Sequence, residues 1–250
     1  MLATRALAEE LMDADDLSAE TYAAVVHDLA KVNTVTMARR PTLRFLDAVR
    51  SRIADERIRT MRAEQPDGIR LRVGPVPMKI LDVGFGDGDM LRTIARWARR
   101  NAVDATLVGI DLNPRSAPAA CAATPPDMTI DYRTGDYANL AGQDFDVIVS
   151  SLVAHHMTRD QLVAFLRFMT AEAGLGWFVN DLHRHGFAYY GFPMLARLAG
   201  WHRIVRHDGQ LSIARSYRPA EWPPILADAG VVSASVYRAF PFRLCVAWHR

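Results

Sequence analysis

The stretch Ile80–Leu91, "ILDVGFGDGDML", limits what this chain can fold into more than any other. An apolar run carries Asp82, three glycines (Gly84, Gly86 and Gly88) follow at alternate positions, and an amphipathic segment opens straight after. Glycine is the residue for positive φ and for close approach of another group to the backbone, so the pattern reads as strand, bare turn, helix. In an open α/β sheet, ligands bind at such turns, outside the carboxyl ends of the strands. The following helix is expected to place Met90, Ile94 and Trp97 on one stripe with Leu91, Ala95 and Ala98 beside it. It ends on Arg99 and Arg100, where cations suit the dipole.

The rest of the chain extends this unit. Short apolar runs at Lys79–Val83, Thr106–Asp111, Met128–Tyr132, Phe145–Ser150 and Gly176–Asn180 have the length of buried parallel strands. Helical patterns separate several of them, one announced by a capping box from Thr158 to Gln161 before Leu162, Phe165, Leu166 and Met169. Near the C-terminus Pro219 opens a helix that Gly230 closes, and "VVSASVYRAFPFRLCVAWH" reads as two antiparallel strands joined through Pro241. The expected fold is α/β: a doubly wound, mostly parallel seven-stranded sheet with an antiparallel C-terminal strand. To this the sequence adds an N-terminal helical extension and a cap insertion. Residues 1–75 are helical by pattern, with Ser18 as an N-cap, Tyr22, Val25, Val26 and Leu29 on one face, and Leu43, Leu46, Val49 and Ile53 on another. The proline- and glycine-rich passage Glu64–Pro77 leads into a domain spanning 76–250. Its aromatic and basic insertion, at about 183–211, is expected to be a partly helical cap.

Bulk properties exclude several functions. A formal net charge of +2 over 250 residues gives no field that would draw nucleic acid or a membrane surface. No apolar run approaches a membrane span, and the early acidic residues argue against a signal peptide. Cys121 and Cys245 show no metal or redox spacing and read as buried thiols of a reducing, cytoplasmic compartment. The span Arg39–Arg72 holds ten arginines and a net charge of about +5. A solvated helical face is favoured there over a docking surface, because aromatics are not interleaved as nucleic-acid stacking requires.

Spacing then narrows the ligand. A dinucleotide turn wants a third glycine three residues after the G-x-G pair, at the position here taken by Asp89, and a carboxylate there opposes a phosphate. An acid leading three alternate glycines suits a cofactor without phosphate and with positive charge of its own. At this point the chain resembles the class I, Rossmann-like S-adenosylmethionine-dependent methyltransferases, with Asp82–Gly88 matching the family's first motif. The resemblance implies that Asp111 in "LVGIDLNP", 25 residues beyond Gly86, takes the ribose hydroxyls. It further implies that Asp136 in "TGDYANL" meets the adenine amino group, that Tyr137 and Leu112 flank the ring, and that Ser150, Ser151 and Leu152 line the methionine end. An ordinary turn and helix cap remain the plain alternatives for Gly84–Gly88 and Asp111. More narrowly, "SSLVAHHM", "VNDLHRH" and the late "GQLSIARSYRPAEWPPILADAG" look like bacterial small-molecule methyltransferases of polyketide-type secondary metabolism.

Methyl transfer to oxygen needs an aligned acceptor and somewhere for its proton to go. His155 and His156 follow the fourth strand and His183 follows the fifth, with Asp181 placed to orient an imidazole; a hydrogen-bonded structural histidine is the competing reading for each. Phe187, Tyr189, Tyr190, Phe192 and Trp201 are candidates for an aromatic acceptor wall, or for cap core. No Asn/Asp-Pro-Pro-aromatic run follows the fourth strand, which disfavours base methylation. Only Asn180 and Asp181 would serve a hard cation there, so no metal is expected. The expected activity is O-methylation of a small, hydrophobic, phenolic or polyketide-like acceptor, with a homodimer and a carrier-protein partner left open. The alternatives are C-methylation of a quinone-type ring, an NAD(P)-dependent oxidoreductase, which Asp89 contradicts, and a non-catalytic cofactor-binding protein.

Overall fold

The computed structural model describes residues 2–64 and 74–250; the Glu64–Pro77 passage and the end of the basic span at Arg72 therefore fall partly outside the described residues. Seven strands form one sheet: β1 (Val76–Val83), β2 (Val103–Asp111), β3 (Asp131–Thr134), β4 (Phe145–Ser151), β5 (Ala173–Leu182), β6 (Ser235–Ala239) and β7 (Arg243–His249). Their order is β3-β2-β1-β4-β5-β7-β6. β1 to β5 run parallel, and β7 lies antiparallel to both β5 and β6. The order reverses between β1 and β4, the switch point at which such sheets open a crevice.

Helices cover both faces. α5 (Arg159–Glu172) and α8 (Trp222–Ala229) bury Leu162, Phe165, Trp222 and Ile225 against Ile148 and Trp177. On the other face α2 (Arg40–Glu64) and α3 (Asp89–Arg100) bury Phe45, Leu46, Leu91 and Ile94 against Ile80, Val147 and Phe178. Each such side chain contributes about 1.5–3 kcal/mol when removed from water. α1 (Ala19–Val35) has a different partner: its Val25 packs with Ala196, Trp201, Ile204 and Val205 of the insertion. The helical N-terminal stretch thus divides, α2 belonging to the sheet core and α1 to the roof. Local signals act as their chemistry requires. Ser18 Oγ accepts from Thr21 N at 3.2 Å, both bonds of the Thr158–Gln161 capping box form, and Gly230 closes α8 with φ 77°.

Two expectations are corrected. The third strand lies at Asp131–Thr134, not Met128–Tyr132. Its register is decided by pairing with Val108–Asp111 of β2, while the apolar Ile130 packs beneath as lead-in. The insertion, expected to be partly helical, holds α6 (Gly186–Leu198) and α7 (Arg203–Arg215). Cys121, on α4 (Ser116–Ala123), is exposed; only Cys245 is buried. The described part of the basic α2 face is largely solvated: Arg40, Arg52 and Arg59 are exposed, and Arg57 donates to the Pro75 carbonyl at 3.2 Å.

Candidate active site

A cavity of about 760 Å³ opens over the carboxyl ends of β1, β2, β4 and β5, roofed by α1, α6 and the N-terminal segment. Its first end is built from the glycine turn. Gly84 holds φ +77°, and a Cβ there would collide with Val153 Cγ2; Gly86 holds φ +57°, and a Cβ there would enter open space. Positive φ and the collision at Gly84 leave no room for a side chain, so the bare backbone forms the cavity floor. Gly86 N donates to Asp111 Oδ2 and Asn113 N to Asp111 Oδ1, both at 2.9 Å, so the carboxylate ties the turn to the end of β2. Burial raises the Asp111 carboxyl above its ordinary range despite these two bonds.

Asp82 is more unusual. It is 1% exposed, both oxygens lack a hydrogen-bond partner among the described residues, and it lines the cavity. Burial, then the nearby charges of Asp111 and Asp89, push its carboxyl well above the usual range. An orphaned buried acid of this kind costs free energy until a cation or donor meets it. Asp89, at the position where a dinucleotide turn has its third glycine, pairs with Arg39: Nη2 lies 2.6 Å from Oδ1 and Nε donates to Oδ2 at 2.7 Å. This pins the α1–α2 joint to the start of α3.

The second end is assembled from distant segments. His155 is 2% exposed, its Nδ1 is 2.7 Å from Asp181 Oδ1, and Asp181 Oδ2 accepts from its backbone N at 2.8 Å. Its Nε2 lies 3.5 Å from Glu10 Oε1, a charge contact lacking hydrogen-bond geometry. Burial alone would lower the His155 pKa, but the charge and hydrogen bond of Asp181 and the nearby charge of Glu10 prevail and raise it to about 9. Conversely, burial would raise Glu10 and Asp181, and the imidazolium holds both below the ordinary carboxylate range. His155 is therefore a charged clamp between two acids at neutral pH. The His156 ring lies tilted beside it, centroids 4.2 Å apart; His156 lines the cavity and has Nδ1 3.3 Å from Asp13 Oδ2. Asp208 fastens the N-terminal segment to α7 by accepting from Leu11 N and Met12 N at 3.0 and 2.9 Å.

Glu10, His155 and His156 bring one ligand atom each within 4.8 Å of one another, a spacing that suits a metal. Arg215 Nη1, 3.9 Å from Glu10 Oε1, already competes for that carboxylate. Asn180 Nδ2 donates to Ala38 O and Thr42 Oγ1 at 2.7 and 3.0 Å.

Of the residues named from sequence, Asp82, Gly84, Gly86, Asp111, Leu112, Tyr137, Ser151, Leu152, His155 and His156 meet on this cavity. Gly88 shapes the turn with φ +77°. Asp136 stays outside the lining, exposed, capping a short 3-10 turn by accepting from Ala138 N at 2.9 Å. His183 is not on the wall; it is buried, and burial, then His185 and Arg238, Arg218 and Arg184, lower its pKa. Asp181 does orient an imidazole, that of His155. In the insertion Phe187 and Phe192 reach the cavity, Tyr190 is exposed, and Trp201 is cap core. Sequence reasoning missed Glu10, Asp13, Asp208 and Arg243, all on the lining. Only Arg243, a lone charge in the apolar run "RLCVAW", left a local signal.

The family model described as a methyltransferase domain matches residues 80–171. No curated protein sequence matches. Among solved structures the chain is similar to human N-acetylserotonin methyltransferase in complex with SAM, at 15% identity and TM-score 0.60 over 98% of this chain and 60% of that one. It is similar to the plantazolicin methyltransferase BpumL with a triazolic desmethylPZN analog and SAH, at 16% identity and TM-score 0.53 over 92% and 96%. It is also similar to magnesium protoporphyrin IX methyltransferase from Synechocystis PCC 6803 with bound SAH, at 17% identity and TM-score 0.51 over 86% and 84%. The chain shares the class I, Rossmann-like fold of these methyltransferases.

Proposed function

We propose that this protein is an S-adenosylmethionine-dependent methyltransferase that methylates a hydroxyl of a small, hydrophobic, phenolic or polyketide-like acceptor. The observation that carries the reading is the partnerless buried carboxylate of Asp82 beside the open face of Gly86. A cationic, phosphate-free cofactor relieves the mutual repulsion of Asp82, Asp111 and Asp89. Asp111, Leu112 and Tyr137 would hold its nucleoside part, and Asp82, Ser151 and Leu152 its amino-acid part. When bound, the cofactor supplies an electrophilic methyl group on a sulfonium.

The chain's own residues then position and exclude. Val25, Val26 and Leu29 of α1, with Phe187 and Phe192 of α6, wall an apolar space that keeps water from the reacting atoms. His155, held charged by Asp181 and Glu10, is a positioning residue for the turn that carries His156. His156 takes the acceptor's proton at Nε2, its Nδ1 oriented by Asp13. The N-terminal residues 1–75 contribute the lid through α1 and the segment before it. No metal enters this scheme.

Calorimetric titration of the full chain with S-adenosylhomocysteine, with NADH as control, tests the cofactor. Absent binding in folded protein removes the reading. Phenols screened with a labelled methyl donor test the chemistry. A methyl on carbon in the product replaces O-methylation with the quinone-type alternative. A general base is worth about 10²–10⁴ in rate. The His156→Gln variant should therefore lose turnover on this scale and keep cofactor affinity, whereas unchanged turnover excludes His156 as the proton acceptor.

A further inference from the structure

Among the described residues three arginines are buried: Arg92, Arg184 and Arg243. Two have acids. Arg92 Nη2 is 2.9 Å from Asp87 Oδ2, and Arg184 Nη2 is 2.5 Å from Glu221 Oε1. Arg243 is 3% exposed, its Nη1 has no hydrogen-bond partner, and none of the ion pairs of the described residues includes it. The acid that acts on it most strongly, Asp181, is already committed to His155 Nδ1, His155 N and Leu182 N. Burial lowers the Arg243 pKa to about 10, so the group still carries its charge at neutrality.

The place of this charge is informative. Arg243 opens β7 opposite Leu182 of β5, and both line the cavity with Phe240, Pro241 and Phe242. β7 stands three strands from β1 in the sheet, on the order of 14 Å at the usual strand spacing. The unpaired cation and the unpaired Asp82 thus mark opposite ends of one cavity. A buried charge left alone in apolar surroundings is strongly unfavourable, and a planar guanidinium presents a fork that fits a carboxylate.

We propose that Arg243 recognises the acceptor by a carboxylate carried on its apolar, aromatic body. This rests on the methyltransferase reading and names its substrate class: an aromatic or polyketide-like hydroxy acid, seated with its anion at β7 and its hydroxyl toward His156. A single guanidinium among Leu182, Phe240 and Phe242 matches one negative charge, which favours a carboxylate over a phosphate dianion.

The test uses the full chain, with benzoate and its neutral isostere benzamide as probes, titrated in the presence of S-adenosylhomocysteine. Benzoate should bind about 10-fold tighter or more, the scale of a charge-assisted bidentate pair, and Arg243→Met should abolish that preference. In the ligand-free protein Arg243→Met should raise Tm by about 2–4 °C, because an unpaired buried charge is replaced by an apolar chain. Benzoate binding no better than benzamide, measurable or not, overturns the proposal. So does a preference that survives in Arg243→Met, or a variant with lowered Tm, which would make the guanidinium a structural group. Loss of S-adenosylhomocysteine binding alongside a retained benzoate preference would remove the methyl-transfer reading and leave the anion subsite standing.

Discussion

The two ends of the cavity are made in opposite ways. At β1 and β2 the site is local: Asp82, Gly84, Gly86 and Gly88 fall within seven residues, and Asp111 reaches the turn by a backbone hydrogen bond to Gly86. At β4, β5 and β7 it is remote: Glu10, His155, Asp181 and Arg243 come from four separate segments, and the first pairs with a residue 145 positions away. The first end presents backbone and unpaired acid, the second two acids clamping His155 with the Arg243 guanidinium outside any ion pair of the described residues. A site made of backbone conformation is recognised by whatever approaches the backbone. A site made of long-range side chains exists only while the segments stay docked.

That contrast predicts different responses to mutation. The largest effect should come from Asp181→Ala, which leaves His155 buried with half its compensation. Breaking such a pair is worth about 3–5 kcal/mol, read as a lower denaturation midpoint with little change in S-adenosylhomocysteine affinity once folded. Next, Asp111→Ala removes the acceptor of two backbone N–H groups. At about 1.5–3 kcal/mol for charged hydrogen bonds, calorimetry should show S-adenosylhomocysteine binding weakened by about 10–100-fold. If the two variants exchange phenotypes, the division of the cavity into a backbone end and a docking end is wrong.

A pH series sharpens the point. The folded pKa of His155 is raised to about 9 from 6.5, so its stabilisation is complete below pH 6.5 and fades as pH climbs through 9. Tm should fall over that window, and the fall should vanish in His155→Gln. A persistent slope would place the titration elsewhere. Smaller still is Thr158→Ala, immediately after the His155–His156 turn. Losing the cap bond to Gln161 N at 3.3 Å should lower stability by about 1 kcal/mol in a denaturant titration. At the bottom of the scale, prolonged chelation should leave turnover unchanged. Activity lost to a chelator and restored by Zn²⁺ would reassign Glu10, His155 and His156 as ligands.

Legibility followed the same division. The strand-turn-helix unit, the α3 stripe of Met90, Ile94 and Trp97, the Thr158 capping box and the Gly230 stop are all written in neighbouring residues, and each appears in the structure. The third strand slipped because a short edge strand takes its register from β2, not from the apolarity of Met128 and Ile130. His183 and His155 looked equivalent, each next to a strand end. Only the path of the chain after β5 turned one ring away from the cavity and set the other between Asp181 and Glu10. Asp136 kept a cap's local bond to Ala138 N, so proximity to the motif did not bring it to the wall.

The sequence by itself determined the α/β architecture, the bare turn and the acid at its mouth. These depend on residues within one or two helical turns of each other, where φ, periodicity and capping act directly. Tertiary structure alone decided which histidine is held charged, that Glu10 completes the cluster, and that Arg243 faces the cavity without an acid. Burial and charge depend on which distant segments surround a group, and nothing in its neighbouring residues reports that environment.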